Sequence, residues 1–256
     1  MRRIVSLAVT AFPLVIAASV TTRAQAPREE VPKTAAAVPT VDRILDKYVQ
    51  ALGGKAAYEK LTSRVSKGTF EVLSQDLTGT VEIDLKAPNK SLLLVELAGL
   101  GRIQQGFDGV VAWADNPQGG VRELSGQEFS VAKRGAVFQQ AIRLRELYPK
   151  MTLQGQEKVG EHNTYVLEAD PGDGSLRRMY FDTESGLMLR SVVERDAPEG
   201  RAAFDLLLED YREVAGIKIP FTAHGMTPNA EYLIKLTEVK HNVSLEDARF
   251  AKPTAQ

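Results

Sequence analysis

The sequence has no cysteine. That excludes disulfides, thiol nucleophiles, cysteine-ligated metals and a lipid-bearing cysteine. Histidine is scarce: only His162, His224 and His241 occur, and none has a second histidine or a carboxylate at a ligand spacing such as H-x-x-x-H. Each reads as structural or solvated. There is no G-x-S-x-G elbow, no Walker loop and no G-x-G-x-x-G. The closest approach to a paired carboxylate is Glu209–Asp210. Adjacent residues of a strand point to opposite faces, so these two cannot share a proton. A hydrolase using Glu209, Asp210 or a histidine therefore lacks a supporting constellation. No enzyme activity, no metal and no cofactor are expected. Charge of one sign is also lacking, with a net of −1. That is a poor balance for nucleic acid, which demands clustered bases.

Long apolar runs are missing except at the start. "MRR" supplies a positive region and "IVSLAVTAFPLVIAASV", Ile4 to Val20, an apolar one. "AQA", Ala24 to Ala26, fits the small-x-small cleavage rule. Residues 1–26 thus read as a secretory signal peptide cut after Ala26. The alternative is an uncleaved anchor, for which the stretch is short and Pro13 unfavourable. No transmembrane span is expected in the mature chain. Removing Arg2, Arg3 and Arg23 from the 32 basic residues leaves 29 against 33 acidic ones, so the exported chain carries −4.

Residues 27–40 contain three prolines and no apolar periodicity, as expected of a flexible linker. A helix then begins. Thr40 can cap it, and Val41, Ile44, Leu45, Tyr48, Val49 and Leu52 fall on one face. Gly53 and Gly54 stop it.

Beyond that helix the period becomes two. Val81, Ile83 and Leu85 alternate with Thr80, Glu82, Asp84 and Lys86. "KSLLLVELAG" is apolar on both faces and so requires cover on both. Turn signals recur at "DG", "NPQGG", "VGEHN", "GDG", "ESG", "APEG" and "EVAG". Such spacing predicts antiparallel meanders with no parallel crossovers. One helical insertion interrupts them. It opens on a Ser125–Glu128 capping box, is divided near Gly135, and runs to Tyr148–Pro149.

The expected fold is mainly β (α+β). A single curved antiparallel sheet of about 10–11 strands should form an incomplete β-barrel. The N-terminal helix and the central helical insertion should cover its concave side. The apolar residues Leu92, Leu94, Ile103, Phe107, Trp113, Phe129 and Phe138 are candidates to line a hydrophobic cavity there. The competing reading is that they only fill the core. The cluster "YFDTESGLMLR", Tyr180 to Arg190, resolves into a hairpin: Gly186 supplies the turn, and Asp182 is expected to accept backbone N–H groups across it.

Several phrases carry a family resemblance: "KAPNK" before a strand, "FDG" followed by Trp113, "YFDTESGL", and "DYREVAGIKIPF". Together with the leader and the helix "VDRILDKYVQALGG", they make residues 41–250 resemble the outer-membrane lipoprotein-sorting superfamily, the LolA/LolB-like periplasmic carriers and related domains. The resemblance implies an open β-barrel with a cavity for acyl chains and a periplasmic location. It implies a hydrophobic ligand, a lipid or an acyl chain, as partner. The domain scheme is then signal peptide 1–26, linker 27–40, LolA-like domain 41–250 and C-terminal tail 251–256. The runner-up is a non-carrier envelope sensor or interaction module of the same fold, with a packed core and an envelope protein as partner.

Overall fold

In a computed structural model, the structure describes residues 38–197 and 200–254. The signal peptide expected over 1–26 and residues 27–37 of the linker lie outside the described residues. The helix α1 (Val41–Ala51) begins as its sequence requires: Thr40 Oγ1 accepts a hydrogen bond from the Arg43 amide at 3.2 Å. A single turn, α2 (Lys55–Tyr58), follows. Six strands come next: β1 (Ser63–Val72), β2 (Leu77–Lys86), β3 (Lys90–Leu97), β4 (Gly101–Phe107), β5 (Ala112–Asn116) and β6 (Gly120–Glu123). The helical insertion comprises α3 (Gly126–Gly135), a 3-10 turn over Gln140–Ile142, and α4 (Leu144–Leu147). Seven more strands complete the sheet: β7 (Lys150–Val159), β8 (His162–Asp170), β9 (Leu176–Asp182), β10 (Met188–Ala197), β11 (Gly200–Val214), β12 (Ile217–Met226) and β13 (Glu231–His241).

All thirteen strands form one antiparallel sheet that is not closed into a barrel. The expectation of a single open antiparallel sheet with helices holds, with thirteen strands in place of ten or eleven. The sheet order is β6-β5-β4-β3-β2-β1-β13-β12-β11-β10-β9-β8-β7. Two meanders therefore run outward from a central seam where β1 pairs with β13, as in Phe70 opposite Ile234. The insertion α3–α4 carries the chain from one outer edge, β6, to the other, β7.

The face bearing the helices has two apolar centres. Ile44, Leu45 and Tyr48 of α1 are buried with Leu167, Met179, Phe181, Ile217 and Ile219. The sheet wraps around α1. Tyr48 meets Phe181 of β9 edge-on at 5.0 Å, while the Leu52 carbonyl accepts from the Lys218 amide of β12 at 2.9 Å. Under α3, Phe107, Ala112 and Leu124 pack with Phe129, Ala132 and Ala136. The capping box does not form. Ser125 makes no side-chain cap, and the Glu128 carboxylate is held by Arg122 at 2.7 Å.

The Tyr180–Arg190 hairpin is as the sequence suggests. Gly186 takes φ 77°, and Asp182 accepts from the Ser185 amide at 3.0 Å and from the Ser185 hydroxyl. Burial alone would raise the Asp182 pKa, but these hydrogen bonds hold it below the usual range. The same turn docks α1, since Lys47 Nζ donates to the Thr183 carbonyl at 2.7 Å.

Candidate ligand-binding site

Between α3 and the middle strands lies a cavity of about 270 Å³. One wall is Val131, Arg134 and Gly135 of α3; the other is built by β9 to β13. Its aromatic floor depends on a glycine. A Cβ at Gly225 would lie 2.0 Å from Cζ of Tyr232, so only glycine lets the Tyr232 ring lie across β12. Tyr232 in turn stacks on Phe70 across the seam, with centroids 5.2 Å apart and planes 13° from parallel.

Phe70 belongs to an apolar strip with Ile83, Leu93, Ile103 and Ile234. These residues are only partly buried, and among the described residues none from α1 to α4 joins them. The alternation explains the strip. Leu93, Val95 and Leu97 face it from β3, opposite Ile83, Val81 and Gly79 on β2. Tyr232, which lines the cavity, is thus stacked on a residue of this apolar strip.

The far end of the cavity is polar. Arg177 of β9 donates from Nε to Ser191 Oγ at 2.9 Å and from Nη1 to Tyr148 Oη at 3.0 Å. Arg134 donates to Asp173 at 2.6 Å and to Ser175 Oγ at 3.0 Å. Both guanidinium groups lie against the Tyr148 ring, at 5.8 Å for Arg134 and 5.6 Å for Arg177. Tyr148, Ser175 and Ser191 are buried. Burial would raise the Asp173 pKa, but the Ser175 and Arg134 hydrogen bonds hold it low, so this carboxylate stays ionised beside Arg134.

The seven residues proposed from sequence do not converge on one surface. Ile103 lies in the apolar strip, and Phe107 and Phe129 pack together under α3 with rings 6.1 Å apart. Phe138 joins the α1 core from its edge. Leu92 and Trp113 lie on the opposite face, buried beneath Phe250, whose carbonyl accepts from Trp113 Nε1 at 2.9 Å. Leu94 shares the Leu92 face by alternation along β3. Sequence reasoning missed Arg134, Tyr148, Arg177 and Ser191. One signal was present: Arg177 has the parity of Met179 and Phe181, so it too points inward.

The histidines are dispersed. His162 lies 3.8 Å from Asp182, and His224 hydrogen-bonds Glu231 at 2.7 Å. Burial, and then the Arg64 charge, lower the His241 pKa. Asp210 stands in the left-handed region at φ 52° with its carboxylate on Arg212, which lowers its pKa. Among the described residues no group of three His, Cys, Asp or Glu side chains is arranged to hold a metal, and no helix is long and apolar enough to cross a membrane.

No protein-family model matches the sequence, and no curated protein does. Solved structures do. A DUF1329 family protein from Desulfovibrio piger superposes with TM-score 0.57 at 18% identity, over 84% of this chain and 98% of that one. A LolA superfamily protein from Nitrosomonas europaea gives TM-score 0.54 at 14% identity, over 84% and 99%. A domain assigned to outer-membrane lipoprotein sorting from Vibrio parahaemolyticus gives TM-score 0.52 at 14% identity, over 81% and 94%. At these identities the likeness is one of fold, and the chain has the LolA-like fold.

Proposed function

We propose that this protein is an exported, periplasmic carrier of a hydrophobic ligand, a lipid or a lipoprotein acyl chain, and not an enzyme. The observation that carries the reading is the cavity of about 270 Å³, whose lining residue Tyr232 stacks on Phe70 of the half-buried apolar strip with Ile83, Leu93 and Ile234. Its volume is just below the usual ligand range of roughly 300–1,000 Å³. The strip would extend it for a long chain. A half-buried apolar surface is costly to leave in water, at roughly 25 cal/mol per Å². An acyl chain laid along it recovers that energy. The lipoprotein-sorting assignment of a structural neighbour agrees with such a ligand. In this reading residues 1–26 direct export, residues 27–40 link, and 41–250 form the carrier domain. Of the seven sequence candidates, Ile103 lies in the strip.

An edge-docking module with a packed core fits less well. The outer strand β6 has only four residues. The other outer strand, β7, is bulged between Leu153 and Gly155 and exposes Lys150, Gln154, Gln156, Glu157 and Lys158. Short, bulged and charged edges resist strand addition.

The test is a titration of the delipidated protein with the uncharged apolar dye N-phenyl-1-naphthylamine. Saturable fluorescence enhancement, reduced by Ile234→Asp, is expected. Absence of saturable binding would remove the carrier reading.

A further inference from the structure

The polar end of the cavity carries an unbalanced charge. Arg134 is neutralised by Asp173 at 2.6 Å. Arg177 has no carboxylate within ion-pair distance among the described residues; its acceptors are the neutral hydroxyls of Ser191 and Tyr148. The guanidinium brings a positive charge to this end of the cavity. It sits where Val193, Phe204, Leu206 and Tyr232 line the same space. A charge in apolar surroundings is costly unless an opposite charge or hydrogen bonds meet it. The Tyr148 ring offsets only part of that cost.

We propose that the site takes an anionic single-chain amphiphile, a long-chain carboxylate, with its headgroup on Arg177 and its tail running over Tyr232 and Phe70 to the helix-free strip. This rests on the carrier reading and adds the headgroup to it. One uncompensated positive charge matches a monoanion. A phosphate dianion would leave a surplus negative charge in a cavity whose one lining carboxylate, Asp205, is already paired with Arg190. The arginine fork has donors left over after Ser191 and Tyr148 to receive the carboxylate.

The experiment displaces N-phenyl-1-naphthylamine from the delipidated full chain at pH 8, with hexadecanoic acid and, separately, with hexadecan-1-ol. The two share a tail and differ in headgroup charge. The acid should displace the dye at a concentration about tenfold or more lower, the worth of one charged hydrogen-bonded contact. Arg177→Gln should erase that preference, while Arg177→Lys should retain most of it. Equal displacement by acid and alcohol in the unmodified protein would overturn the headgroup assignment while leaving the carrier reading standing. So would a preference that survives Arg177→Gln. The unmodified comparison stands whether or not a variant folds. If the dye itself fails to bind, the carrier reading falls first and the headgroup with it.

Discussion

A methyl group on Gly225 would lie inside the ring of Tyr232, 2.0 Å from Cζ. The residue scale is where the site is most sensitive to such changes. Gly225→Ala must tilt Tyr232 off Phe70 and push it into the cavity. The expected cost is about 1–3 kcal/mol of stability, typical of overpacking, with weakened dye binding. Urea unfolding and the dye titration measure the two effects. Asp182 makes a different kind of prediction. Its folded pKa lies below the unfolded value of about 3.9, so its stabilisation is present above that pH and lost as pH falls through the folded pKa. The protein should therefore exceed Asp182→Ala in stability by about 1.5–3 kcal/mol at neutral pH. That margin should shrink below about pH 4. A margin independent of pH would show that the carboxylate charge contributes nothing.

At the scale of elements, the two helical parts of the cover are anchored unequally. Helix α1 buries Ile44, Leu45 and Tyr48, whereas α3 buries no residue within its span and leans on Phe129, Ala132 and the adjoining Ala136. Leu45→Ala should cost about 2–5 kcal/mol in denaturant unfolding. The amides of α3 should exchange with solvent faster than those of α1, since local opening follows the apolar contact an element must break. Opening of α3 would uncover the cavity that it walls.

The same inequality explains what could be read in advance. The α1 stripe and the β2 alternation are dense periodic patterns, and both elements formed where expected. β6 is four residues, "GVRE", with too little alternation to register. β7, "KMTLQGQEKV", is an edge strand that buries little and so carries a diluted pattern. The Ser125 side chain caps nothing, and Arg122 takes the Glu128 carboxylate that would have completed the box. The cavity candidates mixed both faces of the sheet, because an apolar run such as Leu92–Leu97 does not say which parity faces the helices. Arg134, Tyr148 and Arg177 come from separate elements, and no local spacing links them.

The whole molecule is held at one long-range seam. β1 and β13 are paired from Arg64–His241 to Val72–Tyr232, so the N-terminal and C-terminal meanders share a single hydrogen-bonded junction. Trp113, the one tryptophan, is buried in the N-terminal half beneath Phe250 of the C-terminal segment. Its emission thus reports on the closure of both chain ends. Trp113 fluorescence and far-ultraviolet circular dichroism should give coincident unfolding transitions if the seam couples the halves. Refolding should be slow, in the range of milliseconds to seconds or longer, because pairing so distant in sequence must be closed first.

The central claim is that the space between α3 and the sheet holds an acyl chain. Native mass spectrometry of the protein purified from its own host tests it most directly. A population heavier than the bare chain by the mass of one lipid or fatty acid, removed by organic extraction, is expected. A single species at the bare mass, together with no uptake of added hexadecanoic acid, would contradict it.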